Sequence, residues 1–174
     1  MIRTGRRAIL GAALLSLGGC GFRPVYGPAA AGRAGASEEL AAVAVGPIPE
    51  RTGQLLRLAL QDRLERGATA VAQRYDLTVT LGVNTEGLAI QTGYATSRVR
   101  LIGSASWVLT AQDPGRSTLK TGFAREVDGY NVFNNQFFAS DLEGETVQRR
   151  MMDALAEQVT MQLAMYFQQR AAKS

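Results

Sequence analysis

Between Tyr75 and Asn84 every second residue is apolar: Tyr75, Leu77, Val79, Leu81 and Val83 alternate with Asp76, Thr78, Thr80, Gly82 and Asn84. A period of two places the apolar side chains on one side of an extended backbone, so the segment reads as a half-buried β-strand. After Glu86 and Gly87 the apolar residues move to even positions, Leu88 and Ile90, and one inserted residue, a β-bulge near Gly87, would produce that switch. Gln91 to Tyr94 can turn the chain into a second long strand with Val99, Leu101, Ala105, Trp107 and Leu109 on one face. Asp113-Pro114-Gly115 supplies the next tight turn. The strand after it carries Leu119, Thr121, Phe123, Arg125 and Val127 on one side and Thr118, Lys120, Gly122, Ala124 and Glu126 on the other. Three long strands in this order predict an antiparallel meander.

Upstream and downstream the period lengthens to that of a helix. In Thr52 to Gly67, the residues Leu55, Leu56, Ala59, Leu60 and Leu64 fall within about half of a helical wheel. Thr52 can cap the start, Gly67 can end it, and Arg63 intrudes on the apolar face near the exit. Before it, LAAVAVGPI reads as a short strand with Val43 and Val45 on one face, closed by Pro47 and Pro49. Near the end of the chain the Asn and Gly density of Gly129 to Asn135 marks a loop, and Ser140 with Glu143 reads as a capping box. Val147, Met151, Leu155, Val159, Leu163 and Phe167 then form a row spaced by four, so a long helix should lie on the sheet. The expected fold is α+β: a four-stranded, mostly antiparallel sheet with two helices packed on one face, in the order β-α-β-β-β-α.

The N-terminus follows another logic. Residues 1–7 carry three arginines and no acid, and the next ten are apolar apart from Gly11 and Ser16. That is a basic region followed by an apolar run of signal-peptide length, which covers only about half of a ~30 Å hydrocarbon core. Leu17-Gly18-Gly19-Cys20 at its end resembles a bacterial lipobox, in which small residues fit a signal peptidase and the cysteine becomes the acylated N-terminus. Cys20 is the only cysteine, so it has no disulfide partner, and an anchor of several acyl chains accounts for it best. Gly21, rather than Asp, resembles the residue found after the cysteine in lipoproteins sorted to the outer membrane. Residues 1–19 are thus expected to be a signal peptide, 20–37 a lipid anchor and tether, and 38–174 a single domain. The small-residue stretch GPAAAGRAGAS would let the tether span roughly 20 to 25 Å.

Composition narrows the function. The net charge of +4 depends on Arg3, Arg6 and Arg7, which leave with the signal, so the mature chain is nearly neutral and lacks the basic field of a nucleic-acid binder. Histidine is absent, which removes histidine acid/base chemistry, serine-histidine triads and the usual zinc sites. The acids are scattered, and no carboxylate pair stands out. No enzyme activity and no cofactor beyond the lipid on Cys20 is expected.

A lipobox cysteine followed at once by Gly-Phe-Arg-Pro-Val-Tyr-Gly, together with Tyr-Asn-Val-Phe-Asn-Asn-Gln-Phe-Phe opening a long helix, resembles the lipopolysaccharide-assembly lipoprotein family LptE in its alphaproteobacterial form. The resemblance implies an outer-membrane lipoprotein whose domain plugs the LptD β-barrel, helps it assemble, and assists delivery of lipopolysaccharide to the outer leaflet. An auxiliary lipoprotein of an ABC-type lipid-transport system would share the anchor, size and mixed fold, and partner identity separates the two.

Candidate residues follow from that reading. Arg98 and Arg100 share a strand face, with Lys120 or Arg125 across the meander, and such cations beside apolar surface suit the phosphates and acyl chains of lipopolysaccharide. The alternative is a solvated face whose arginines pair across strands with Glu86, Glu126 or Asp128. Phe22 and Tyr26, with Val25 and an extended Pro24 between them, can form a docking strand, or simply begin the tether. Met151, Met161 and Met165 fall on one flank of the last helix, where a flexible thioether surface adapts to a partner wall but is equally the material of a core.

Overall fold

The computed structural model describes residues 36–65, 71–89, 96–133 and 137–173. Its elements are α1 (Ala36–Ala41), β1 (Val43–Val45), α2 (Glu50–Leu64), β2 (Tyr75–Ala89), β3 (Thr96–Ala111), β4 (Thr118–Phe133) and α3 (Phe137–Lys173). The class is α+β as expected, with three helices rather than two among the described residues, because Ala36 to Ala41 form a short helix where a tether was expected to end. Leu40 is the residue that anchors this extra turn in the core.

The four strands lie in chain order, β1-β2-β3-β4, in one open sheet. β1 runs parallel to β2, with Val43 opposite Tyr75, and α2 makes the crossover between them. β2, β3 and β4 form the antiparallel meander. Its first turn region lies outside the described residues. The second is held by Asp113, whose carboxylate accepts the backbone N–H of Ser117 at 3.2 Å and its hydroxyl at 3.0 Å.

Register departs from the expectation at Gly87. β2 pairs with β3 without interruption from Tyr75 to Ala89, so there is no bulge there, and the one register shift in the meander falls between Leu109 and Thr110. Leu88 therefore sits on the sheet face opposite Leu77 and Val79 and is 38% exposed. β4 also continues through Gly129 to Phe133, where loop was expected, because pairing with Thr96 to Arg100 supplies the hydrogen bonds that composition argued against.

One face of the sheet carries the core. Leu77 and Val79 of β2, Leu101, Ala105, Trp107 and Leu109 of β3, and Ala124 of β4 are buried beneath the helices. The predicted row of α3 is buried along its length, from Val147 through Met151, Leu155, Val159 and Leu163 to Phe167. Each leucine so buried contributes about 2 to 3 kcal/mol of transfer free energy. α3 rests close on β3 and β4 because small residues lie under it. A Cβ on Gly103 would stand 2.6 Å from Met151 Sδ, and one on Gly122 would stand 2.3 Å from the Trp107 ring.

The helix boundaries also shift. α3 starts at Phe137, so Ser140 is inside the helix and buried rather than capping it. α2 starts at Glu50 with Pro49 as its N-cap, which makes Thr52 an internal residue, and it ends at Leu64; the predicted stop, Gly67, lies outside the described residues. Arg63 leaves the apolar face and donates to the Asp153 carbonyl of α3 at 3.3 Å. At the other end, Tyr75 donates its hydroxyl to Glu39 at 2.8 Å, which clasps α1 to the start of β2. Burial, and then this bond to a carboxylate, push the Tyr75 hydroxyl above its ordinary pKa.

Candidate functional site

The sheet face away from the helices is built by the positions that alternate with the core. On β3, the burial of Leu101 and Trp107 on one side sends Arg98 and Arg100 to the other. The register sets Arg98 opposite Leu88 and Arg100 opposite Glu86. On β4, Phe123 and Val127 face outward with Arg125 between them, because Gly122 and Ala124 are the residues that fit beneath α3. Phe123 is 55% and Val127 47% exposed.

Leu88, Arg98, Arg100, Val127, Asp128 and Gly129 line an open depression of about 470 Å³ at the end of this face. Gly129 forms part of its lining by necessity: a Cβ there would lie 2.7 Å from the Val99 carbonyl oxygen. Arg100 donates to one Glu86 carboxylate oxygen from Nε at 2.9 Å and also from a terminal nitrogen, so its cross-strand pair is formed. Asp128 accepts both Arg150 Nε and a terminal nitrogen at 2.7 Å, and also takes the Gly129 N–H at 2.8 Å. With those acids neutralised locally, Arg98 is exposed and has no acidic partner among the described residues. A cation over apolar Leu88 and Val127 can receive an anionic group that carries hydrocarbon.

The structure brings together two of the four predicted cations. Arg125 shares the face but stands opposite Ser104, six residues along β3 from Arg98, or roughly 20 Å away. Lys120 is a correction: it pairs with Leu109, a core residue, and so belongs to the helix-covered side, where it is exposed near the end of β4. The methionine flank also divides. Met151 is fully buried against Gly103 and is core, so it presents nothing to a partner, whereas Met161 and Met165 are 48% and 43% exposed. Cys20, Phe22 and Tyr26 lie outside the described residues.

Sequence reasoning missed Leu88, Val127 and Gly129 as lining residues. The parity change at Leu88 was the signal for the first, read instead as a bulge. It also missed two glutamines that tie α3 to β4. Gln162 accepts the buried Trp107 indole N–H at 3.2 Å and donates to the Phe123 carbonyl at 3.0 Å. Gln158 donates to Glu126 at 2.8 Å and to the Arg125 carbonyl at 3.2 Å. Glutamines on a long helix carry no such signal in sequence.

Among the described residues no cluster of acids is placed to hold a metal ion, and no helix is long and apolar enough to cross a membrane. A comparison with curated proteins gives no match. Solved structures do share the fold. A putative lipoprotein from Caulobacter crescentus CB15 superposes with a TM-score of 0.60 at 23% identity, covering 75% of this chain and 94% of that one. A minor lipoprotein from Acinetobacter baumannii gives 0.52 at 16% identity, covering 70% and 89%. The rare lipoprotein B from Shewanella oneidensis gives 0.51 at 16%, covering 76% and 98%. The family profile described as LptE, lipopolysaccharide-assembly, matches residues 40–163, from the end of α1 into the last third of α3. That span takes in the whole sheet and most of the core, and the chain belongs to the LptE lipopolysaccharide-assembly family.

Proposed function

We propose that this protein is an outer-membrane lipoprotein, held on the periplasmic side by acyl chains on Cys20, whose domain plugs an LptD-type β-barrel. It helps that barrel assemble and assists delivery of lipopolysaccharide to the outer leaflet, without catalysing a reaction. The observation that carries the reading is the family match over residues 40–163. The LGGC lipobox ahead of the domain supports the anchor. The exposed Arg98 beside Leu88 and Val127 supports contact with an anionic amphiphile. Arg98 and Arg100 are the residues assigned to the lipid phosphates, and Arg125 extends the same face. Exposed Met161 and Met165 are assigned to the partner wall, and Phe22 and Tyr26 to docking next to the anchor. Depleting the protein from its host tests the whole reading. Folded, heat-modifiable barrel and surface lipopolysaccharide should both fall, and the wild-type gene should restore them while Cys20→Ala should not. Unchanged barrel and surface lipopolysaccharide after depletion would overturn it.

A further inference from the structure

β4 ends the sheet, and its outer edge has no neighbouring strand among the described residues. Alternate residues of an edge strand direct both backbone groups away from the sheet. The side-chain bonds to Phe123 O, Arg125 O and Gly129 N identify those residues as the odd ones. The Phe123 and Arg125 N–H groups and both backbone groups of Val127 have no partner among the described residues. The two carbonyls met by glutamines keep a second lone pair each.

The borders of this edge are apolar and singly charged. Phe123 and Val127 flank it on the open face, with Arg125 between them and no acid in reach of its guanidinium among the described residues. On the helix side stand Met161 and Met165, each three residues beyond a glutamine that reaches the edge. Natural sheets blunt a free edge with bulges, prolines or brevity; β4 is long, and although its start carries the register shift opposite Leu109 and Thr110, residues 123–127 hold no bulge or proline. We propose that the β4 edge from Phe123 to Val127 docks one extended segment of a partner chain, added as a fifth strand. That segment carries an acidic residue opposite Arg125, flanked at two residues on either side by apolar ones. The unpaired backbone groups specify an extended strand, Arg125 specifies the acid, and Phe123 and Val127 specify its neighbours. A second copy of this chain is a poorer occupant. In an antiparallel two-fold pairing the open-face positions of one β4 meet those of the other, and Thr121, Phe123, Arg125, Val127, Gly129 and Asn131 include no acid.

The site shares Val127 with the rim of the lipid depression but does not involve Leu88, Arg98 or Arg100, so its failure leaves the Arg98 reading standing. The test uses the full mature chain and a roughly ten-residue peptide of alternating Thr with Val, Glu and Val. Hydrogen exchange at the Phe123, Arg125 and Val127 amides should be fast in the free protein and slow when the peptide is added. N-methylating the peptide amides that face β4 should weaken binding about tenfold or more. Arg125→Glu should weaken it a few-fold, and a peptide with Lys in place of Glu should restore it. Unchanged exchange at those three amides, equal binding of the N-methylated peptide, or slowed exchange from self-association seen in ultracentrifugation would each overturn the proposal. So would slowed exchange produced only by lipopolysaccharide micelles.

Discussion

Gly122 and Gly87 both lie within strands, yet adding one methyl to each should change stability in opposite directions. At Gly122 the new Cβ would stand 2.3 and 2.4 Å from Trp107 Cζ2 and Cε2 and 2.7 Å from Gln162 Oε1, all well inside normal contact. Neither neighbour can give way freely. Trp107 is 1% exposed, and Gln162 is bonded both to its indole and to the Phe123 carbonyl. Overpacking of this kind costs about 1 to 3 kcal/mol or more, against roughly 0.5 to 1 kcal/mol that alanine recovers over glycine through the unfolded chain. Gly122→Ala should therefore lose roughly 2 kcal/mol, a fall in Tm of about 6 to 10 °C for a domain of this size. A Cβ on Gly87 would meet nothing within 4 Å among the described residues, so Gly87→Ala should be neutral or raise Tm slightly. Trp107 is the only tryptophan, so its fluorescence during urea or thermal unfolding reports directly on the perturbed packing. A Gly122→Ala protein with unchanged or higher Tm would refute the close approach of α3 to β4.

Other outcomes follow from the same geometry. Leu155→Ala should cost about 2 to 5 kcal/mol in urea unfolding, while Met161→Ala should stay within about 0.5 kcal/mol, since one is fully buried and the other half exposed. Arg98→Glu should weaken binding of purified lipopolysaccharide roughly tenfold in a fluorescence competition assay, and Lys120→Glu should leave it nearly unchanged because Lys120 faces the other side. Hydrogen bonds from the Ser117 backbone N–H and then its hydroxyl hold the Asp113 carboxyl below its ordinary value near 3.8. A depressed folded value means the contribution is present above pH 3.8 and lost as pH falls through the lower folded value. The stability difference between wild type and Asp113→Ala should shrink below pH 3.8 in acid titrations followed by circular dichroism.

The elements legible in the sequence were those in which one periodic pattern had one explanation. The alternation from Tyr75 to Val83 faced the core, with Tyr75, Leu77 and Val79 buried in it and Leu81 and Val83 packed against it, and the row from Val147 to Phe167 became core because nothing competed with burial on that side. β4 offered two faces, and sequence could not rank them. The face holding Gly122 and Ala124 became the core because a helix can approach small residues closely, which left the larger Phe123 and Val127 outside. Leu88 was misread for a related reason: an apolar residue on an open face mimics a bulge when burial is assumed. The segment from Gly129 to Phe133 has loop composition, but long-range pairing with β3 overrode it. α1 is six residues of small and acidic character, held by Leu40 and the Glu39–Tyr75 bond, contacts invisible to local propensity. Of the candidate site, the cations and the shared strand face of Arg98 and Arg100 were legible, but the register was needed to separate Lys120 from both and to set Arg125 at a distance.

The central claim is that the domain works inside a barrel. The most direct measurement is affinity purification of the tagged mature lipoprotein from detergent-solubilised outer membrane, followed by mass spectrometry after high-salt washing. The account predicts that an LptD-type barrel stays bound in near-equal amount. Recovery of inner-membrane transporter subunits without any barrel would contradict it and assign the chain to an ABC-type lipid-transport system.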